Sequence, residues 1–293
     1  MKDEEYLVHK VKVWLRRARL PRFLHCFGPK MYELWQHIFA LFMKYECGWS
    51  FRRTVKRLRS LGFVVASKST LQRYAALLDL PMWQTLFKFT LGRATKIGCI
   101  DGTGLERSKA SWHYIRRIDR LKPVKQAFKL SVLCGSNGKI LNLRLRSKPV
   151  HDTKDVKYLF GTAEQKPSII LMDKGYDAEW IHEYFHEHGV RSIAPTRKRC
   201  RRGRHRKKLM KNFPQKLYNK RNVVESVFHA FKQKYGASVS SKNIKTARTE
   251  TYIKAILHNL HLLINRLSGH TPVLRHYLIE ILESKVSLLI QGS

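Results

Sequence analysis

Hydrophobic and polar positions divide this chain into two regimes. Up to about residue 92 the apolar residues recur at helical spacing, in amphipathic stretches broken at Pro21, Gly28-Pro29, Gly48 and Gly62. Phe51, Val55, Leu58 and Leu61 line one face of a segment that also carries Arg52, Arg53, Lys56, Arg57 and Arg59. A second short helix is predicted from about Ser69, through Leu71, Gln72, Arg73 and Tyr74. The pair reads as a helix-turn-helix over about 50–80, with Arg52, Arg53, Gln72 and Arg73 as candidates for sequence recognition, or as a bundle with a basic face.

From Lys96 the pattern changes to short apolar runs bounded by Gly, Asn and Pro. KIGCID reads as a buried strand. Phe128–Cys134 and Ile140–Arg146 alternate, with Leu141, Leu143 and Leu145 opposite Asn142, Arg144 and Arg146, and Asn137-Gly138 supplies a hairpin turn between them. Asp152 and Asp155 are expected to cap a helix to about Phe160. SIILMD then forms another apolar strand, followed by a helix capped by Asp177 and stopped at Gly189. VRSIAP is a last short strand. Helices are predicted through Tyr218–Lys234, from about Thr246 to Leu267 and from Pro272 to Ile290. This order describes a mixed α/β sheet with helices on its faces.

Charge sharpens the picture. The chain of 293 residues carries 58 Lys or Arg against 21 Asp or Glu, a formal net charge of +37. Such a protein repels itself unless its partner is a polyanion, and nucleic acid is the first candidate. The richest run, Arg197 to Lys211, holds 10 basic residues and no acid, yet without it 48 basic residues still face 21 acidic ones. The basicity therefore belongs to the folded body, and the run itself is placed to grip DNA backbone rather than to serve as a tail.

Five cysteines with no Cys-x2-Cys pair give neither a disulfide framework nor zinc-finger spacing, which points to a reducing, cytoplasmic setting. MKDEEYL lacks the form of a signal peptide, and no apolar run approaches the ~20 residues that span a bilayer, so no membrane partner is expected. His182-Glu183-Tyr184-Phe185-His186 matches the zinc-protease pattern, but Ser192 stands where its longer form needs a third His. A solvated structural role is the expectation there, with Trp180, Ile181, Tyr184 and Phe185 as the buried stripe. No Walker loop or dinucleotide fingerprint occurs.

The chemistry lies in isolated acids. KIGCID and SIILMD each end in an Asp followed closely by Gly, at Asp101 and Asp173. Laid side by side and parallel, the strands would bring both carboxylates to the carboxyl edge, where open α/β sheets bind ligands. Two acids there repel unless a cation joins them, and hard oxygen donors suit Mg²⁺ or Mn²⁺. Tyr218, Arg221, Glu225 and Lys232 are offset by 0, 3, 7 and 14 residues. On an ideal helix they fall within an arc of roughly 60°. Val224, Val227, Phe228 and Phe231 on the adjoining arc would seat the helix on the sheet and aim Glu225 at the two aspartates. The plainer alternative is an Arg221–Glu225 surface pair worth a few tenths of a kcal/mol.

Asp101-Gly-Thr, Asp173-Lys-Gly-Tyr-Asp177 and Tyr218-x2-Arg221-x3-Glu225-x6-Lys232 together resemble the signature of the DDE transposases of bacterial and archaeal insertion sequences, over roughly Lys96 to Leu263. The resemblance implies a ribonuclease H-like mixed sheet flanked by helices, with an N-terminal all-helical region and C-terminal helices. It divides the chain into a helical DNA-binding region (1–92), a catalytic domain (93–267) with a basic loop (196–217), and a C-terminal helix (268–293). It implies Asp101, Asp173 and Glu225 as catalytic metal ligands for two Mg²⁺ ions, with Mn²⁺ able to substitute. Tyr218, Arg221 and Lys232 would contact DNA phosphates, joined by Arg199, Arg201 and Arg202 of the basic loop. The implied activity is metal-dependent cleavage at transposon ends and strand transfer into target DNA by a homodimer on duplex DNA, in a prokaryotic, nucleoid-associated setting. A catalytically silent DNA-binding regulator and a ribonuclease H-like nuclease without strand joining are the alternatives. Some relatives carry a long β-rich insertion before the Glu, where this chain has only a basic loop of about 20 residues.

Overall fold

The computed structural model describes residues 3–24, 30–107, 127–148, 150–197, 200, 202–241 and 243–268. They form two compact units: one holds the chain up to Leu77 together with the residues from Asn259 on, the other Leu78–His258.

The first unit is helical. Helix α1 spans Asp3–Arg17, α2 Leu34–Glu46, α3 Phe51–Ser60 and α4 Lys68–Leu77. The apolar run of α2 is buried from His37 to Lys44. Ser50 caps α3 by accepting the Arg53 N–H at 3.3 Å, and Thr54, Val55 and Leu58 turn inward. Leu71 and Tyr74 anchor α4, with Tyr74 stacked on His37 at 3.7 Å between ring centroids. Arg52, Arg53, Gln72 and Arg73 are all exposed. The connection between α3 and α4, residues 61–67, is longer than the three or four residues usual in a helix-turn-helix.

The second unit opens with α5 (Leu80–Lys88) and is built on a mixed sheet. Its strands are β1 (Ile97–Arg107), β2 (Ala127–Gly135), β3 (Ile140–Arg146), β4 (Ile169–Met172) and β5 (Arg191–Ile193), in the order β3-β2-β1-β4-β5. β1, β2 and β3 pair antiparallel, β4 and β5 run parallel to β1, and the short β6 (Ser238–Val239) pairs with the far end of β1. This is the ribonuclease H-like mixed sheet that the signature implied. The hairpin turn falls where Asn137-Gly138 predicts it, with Gly138 at φ 79°.

Helices α6 (Val156–Gly161), α7 (Glu179–Glu187), α8 (Arg204–Lys211), α9 (Gln215–Tyr218), α10 (Asn222–Tyr235) and α11 (Ile244–Ser268) complete the described chain. Buried Phe128, Phe160, Ile170, Phe185 and Val224 mark a core that runs through the sheet and its covering helices. From α11, Tyr252 Oη donates to the Leu143 carbonyl and Arg248 Nε to the Leu145 carbonyl, both at 3.3 Å, so this helix binds the outer backbone of edge strand β3. The predicted helix Pro272–Ile290 lies outside the described residues.

Three local expectations are corrected. β1 does not end at Asp101 but continues along β2 to Arg107. Asp152 and Asp155 lie in a 3-10 turn whose cap is His151, and Asp155, although it stands at the N-cap position of α6, makes no side-chain cap bond because it is buried against Ser131, Arg144 and Arg146. Asp177 does not cap α7 either, because its carboxylate is occupied by Arg206 and the Arg197 N–H.

Candidate active site

β1 and β4 are parallel neighbours with Ile100 opposite Met172, which brings Asp101 and Asp173 side by side at the carboxyl end of β4. Strands so paired lie ~4.8 Å apart. Asp101 Oδ1 accepts the Gly102 N–H at 2.8 Å. Burial holds the Asp101 carboxyl above the usual carboxylate range; the Gly102 N–H and Arg221 oppose that rise, while Asp173 and Asp152 add to it. The cluster is therefore short of positive charge.

Helix α10 supplies some of it. Val224, Val227, Phe231 and Tyr235 are buried and seat the helix, whereas Phe228 is only half-buried. The predicted single helix is interrupted: Tyr218 ends α9, Asn219–Arg221 form a 3-10 turn, and α10 begins at Asn222. Arg221 at this junction donates through Nη1 to Asp101 Oδ2 at 3.2 Å and through Nη2 to the Glu225 carboxylate. Lys232 Nζ donates to Thr103 Oγ1 at 2.6 Å, two residues beyond Asp101 on β1. The Tyr218 ring lies 6.0 Å from the Arg221 guanidinium. One edge of the sheet thus receives all six residues of the acidic and phosphate-contact sets that lie on β1, β4 and the α9–α10 segment.

Among the described residues no group of three or more His, Cys, Asp or Glu side chains is gathered closely enough to hold a metal ion. The Arg221 guanidinium contacts both Asp101 and Glu225. In donor chemistry Asp101, Asp173 and Glu225 still suit a hard divalent cation: all offer carboxylate oxygen, and the mutual repulsion felt by Asp101 is what such an ion would relieve. The Glu225 side chain, 58% exposed, has room to turn towards the aspartates.

Residues that sequence reasoning passed over also stand here. Lys129 of β2 is paired with Asp152, and both pack against Gly102. A Cβ on Gly102 would meet Asp152 Oδ1 at 2.8 Å and Lys129 Cε at 3.3 Å. Gly102→Ala is accordingly expected to dislodge the Asp152–Lys129 pair at a cost of about 1–3 kcal/mol, the range for overpacking. Urea denaturation checks it, and an unchanged midpoint would show that the neighbours yield freely. Tyr176 is buried and its hydroxyl has no partner among the described residues. Burial, then Asp152 and Asp101, make it a far weaker acid than ordinary tyrosine. The Gly of Asp-Gly-Thr was the one signal that pointed to this packing.

The basic run is ordered where it is described. Arg202 is exposed, Arg199 and Arg201 lie outside the described residues, and α8 packs on α7. Of the zinc-protease pattern, His182 is buried, not solvated: its Nδ1 contacts Ser192 Oγ at 2.7 Å, and burial lowers its pKa. His186 is exposed beside His205, with 5.0 Å between ring centroids. The helix stripe buries Ile181 and Phe185 but leaves Trp180 exposed.

A family model described as "Transposase DDE domain" matches residues 92–260. No curated protein matches the chain. Among solved structures, it is similar to the piggyBac transposase in a synaptic complex with hairpin DNA, at 13% identity and TM-score 0.49, over 91% of this chain and 74% of that one. It is also similar to the Mos1 transposase in a paired-end complex with left transposon end, at 10% identity and TM-score 0.22, over 87% and 86%. No helix among the described residues is long and apolar enough to cross a membrane.

Proposed function

This chain belongs to the transposase DDE-domain family, and from that premise we propose that it cuts DNA at the ends of a mobile element and joins the freed 3′ ends to target DNA. The observation that carries the reading is the register of β1 with β4, which sets Asp101 beside Asp173, with Glu225 linked to Asp101 through one guanidinium.

Asp101, Asp173 and Glu225 would hold Mg²⁺, which lowers the pKa of an attacking water or hydroxyl and stabilises the leaving oxygen. The chain's own groups do the rest. Arg221 presents a planar, permanently charged fork suited to a phosphate. Engaging a DNA phosphate requires it to leave the two carboxylates it now bridges, so substrate binding and release of the acids are coupled. Lys232, fixed on Thr103, and Tyr218, beside Arg221, flank the same edge and can orient the scissile strand. Arg199, Arg201 and Arg202 would add backbone contacts. Arg52, Arg53, Gln72 and Arg73, exposed on α3 and α4, are the proposed readers of the element's ends, within a DNA-binding region over 1–92 that precedes the catalytic part, 93–267. Two copies would hold two ends together.

The test is a labelled duplex containing the DNA that flanks the reading frame, incubated with Mg²⁺ and a second, unlabelled target. Cleavage at a discrete boundary followed by covalent joining of the labelled 3′ end to the target is the expected result. Cleavage without joining would replace the transposase by a nuclease. The ion-paired Arg221 favours one further reading, a DNA-binding regulator in which the acids serve only as its counter-ions; tight metal-independent binding with no cleavage would establish that instead.

Deleting residues 1–77, which leaves α5 with the second unit, is expected to abolish preference for the element's ends over unrelated DNA while leaving weak, salt-sensitive binding. Competition gel shifts measure it, and undiminished preference would move end recognition elsewhere.

A further inference from the structure

Helix α8 is made of good helix formers but is opposed by its own charges. Arg204, Lys207, Lys208 and Lys211 recur at i, i+3, i+4 and i+7, so like charges stack along one face, each such pair costing a few tenths of a kcal/mol. All four side chains are exposed, and α8 buries none of its residues.

What holds it is a dedicated pair of acids on the segment that leaves β4. Asp177, whose side chain is fully buried, accepts Arg206 Nε at 2.6 Å, Arg206 Nη2 at 2.8 Å and the Arg197 N–H at 2.8 Å. Glu179 accepts the His205 N–H at 2.8 Å and the Arg206 N–H at 3.2 Å, capping α8 from another element. Gly203, at φ 102°, makes this approach possible, since a Cβ there would fall 2.2 Å from Glu179 Oε2. The docked side carries Arg206; the cationic stripe points away. In a chain with only 21 acids, two are committed to fixing the position of a basic helix that contributes nothing to the core.

The geometry points to α8 as a docked backbone grip for duplex DNA, with Arg204, Lys207, Lys208 and Lys211 contacting successive phosphates on the Asp173 side of the active site. The stripe is ~10 Å long, extended rather than cupped, and has no acid and no buried polar group on it, which fits a line of phosphates rather than a single small anion. Asp177 and Glu179 follow Asp173 by four and six residues, so the grip is tethered directly to the strand end that carries that carboxylate. The inference deepens the transposase reading by placing its DNA, but it concerns binding and can be tested without catalysis.

The test measures affinity for a 30-base-pair duplex of arbitrary sequence against salt concentration, in EDTA. Replacing Arg204, Lys207, Lys208 and Lys211 by Ala is expected to flatten the slope of log K against log[salt] by about 3 to 4, at about 0.9 per phosphate contact. Changing the three lysines to Arg should preserve it. Four exposed cations removed elsewhere, Arg93, Lys166, Arg191 and Lys234, should flatten it by less than about 1. Removing like charges relieves α8, so folding, checked by circular dichroism, should persist. An unchanged slope, or equal flattening by the two four-site variants, would overturn the proposal even if the protein cleaves DNA. The expected slopes in a protein that never cleaves would sustain the grip and sink the transposase reading.

Discussion

Replacing Asp173 by Asn, or Glu225 by Gln, is expected to lower single-turnover cleavage by on the order of 10³-fold, while duplex affinity stays level or rises. The size follows from the several kcal/mol of transition-state charge stabilisation that a well-held cation supplies, about 4 kcal/mol corresponding to 10³. The direction of the binding effect follows from charge: each substitution removes a negative group from an edge where Arg221 and Lys232 would meet phosphate. Both variants keep the shape of the side chain, and Glu225 is more than half exposed, so misfolding is not the expected cause. Parallel cleavage and gel-shift assays decide it. Wild-type cleavage by Asp173→Asn would remove that residue from the site, whatever the family.

Glu250→Ala is expected to cost about 3–5 kcal/mol, the range for removing one partner of a buried ion pair. Its carboxylate, almost fully buried, accepts the Ser240 and Ser241 N–H groups at 3.0 Å each, both of their hydroxyls, and Lys254 at 2.8 Å. Alanine would strand a buried ammonium and four donors at the connection from β6 into α11. For a chain of this size the change amounts to a fall in Tm of about 5–8 °C, readable by calorimetry. A shift under about 2 °C would mean that water replaces the carboxylate, contrary to its burial.

Glu250 and Asp177 also set an acid limit. Burial alone would raise both carboxyls, but Lys254 and the serine donors for Glu250, and Arg206 with the Arg197 N–H for Asp177, overcome it and leave both lowered. A carboxyl lowered by folding stabilises the native state above its unfolded pKa, and that contribution is lost as pH falls through the folded value. Stability is thus expected to decline from about pH 4.5 downward, and the decline to be shallower in Glu250→Gln.

What was legible in the sequence was whatever depends on local pattern. Two apolar strands each running into an acid gave the Asp101–Asp173 register, and alternation with Asn137-Gly138 gave the β2–β3 hairpin. β1 overran its predicted end because Gly-Thr-Gly-Leu-Glu-Arg has no strand pattern; its pairing with β2 and β6 is imposed by neighbours. Asp152, Asp155 and Asp177 looked like helix caps because they precede helices, and nothing local announces basic partners on other elements, 9 and 11 residues away for Asp155 and more than 20 for Asp152 and Asp177. The two readings of Arg221–Glu225 turned out not to exclude each other, since the pair forms and its Arg also reaches Asp101. His182 escaped because its partner, Ser192, lies on the next strand.

The clasp of α11 on β3 has a consequence for assembly. An uncovered edge strand invites another chain to add to the sheet. Tyr252 and Arg248 already occupy the Leu143 and Leu145 carbonyls along that margin, so a further strand cannot pair with those positions of β3. At this margin, contact with any other chain must therefore be made by side chains rather than by a continued ladder.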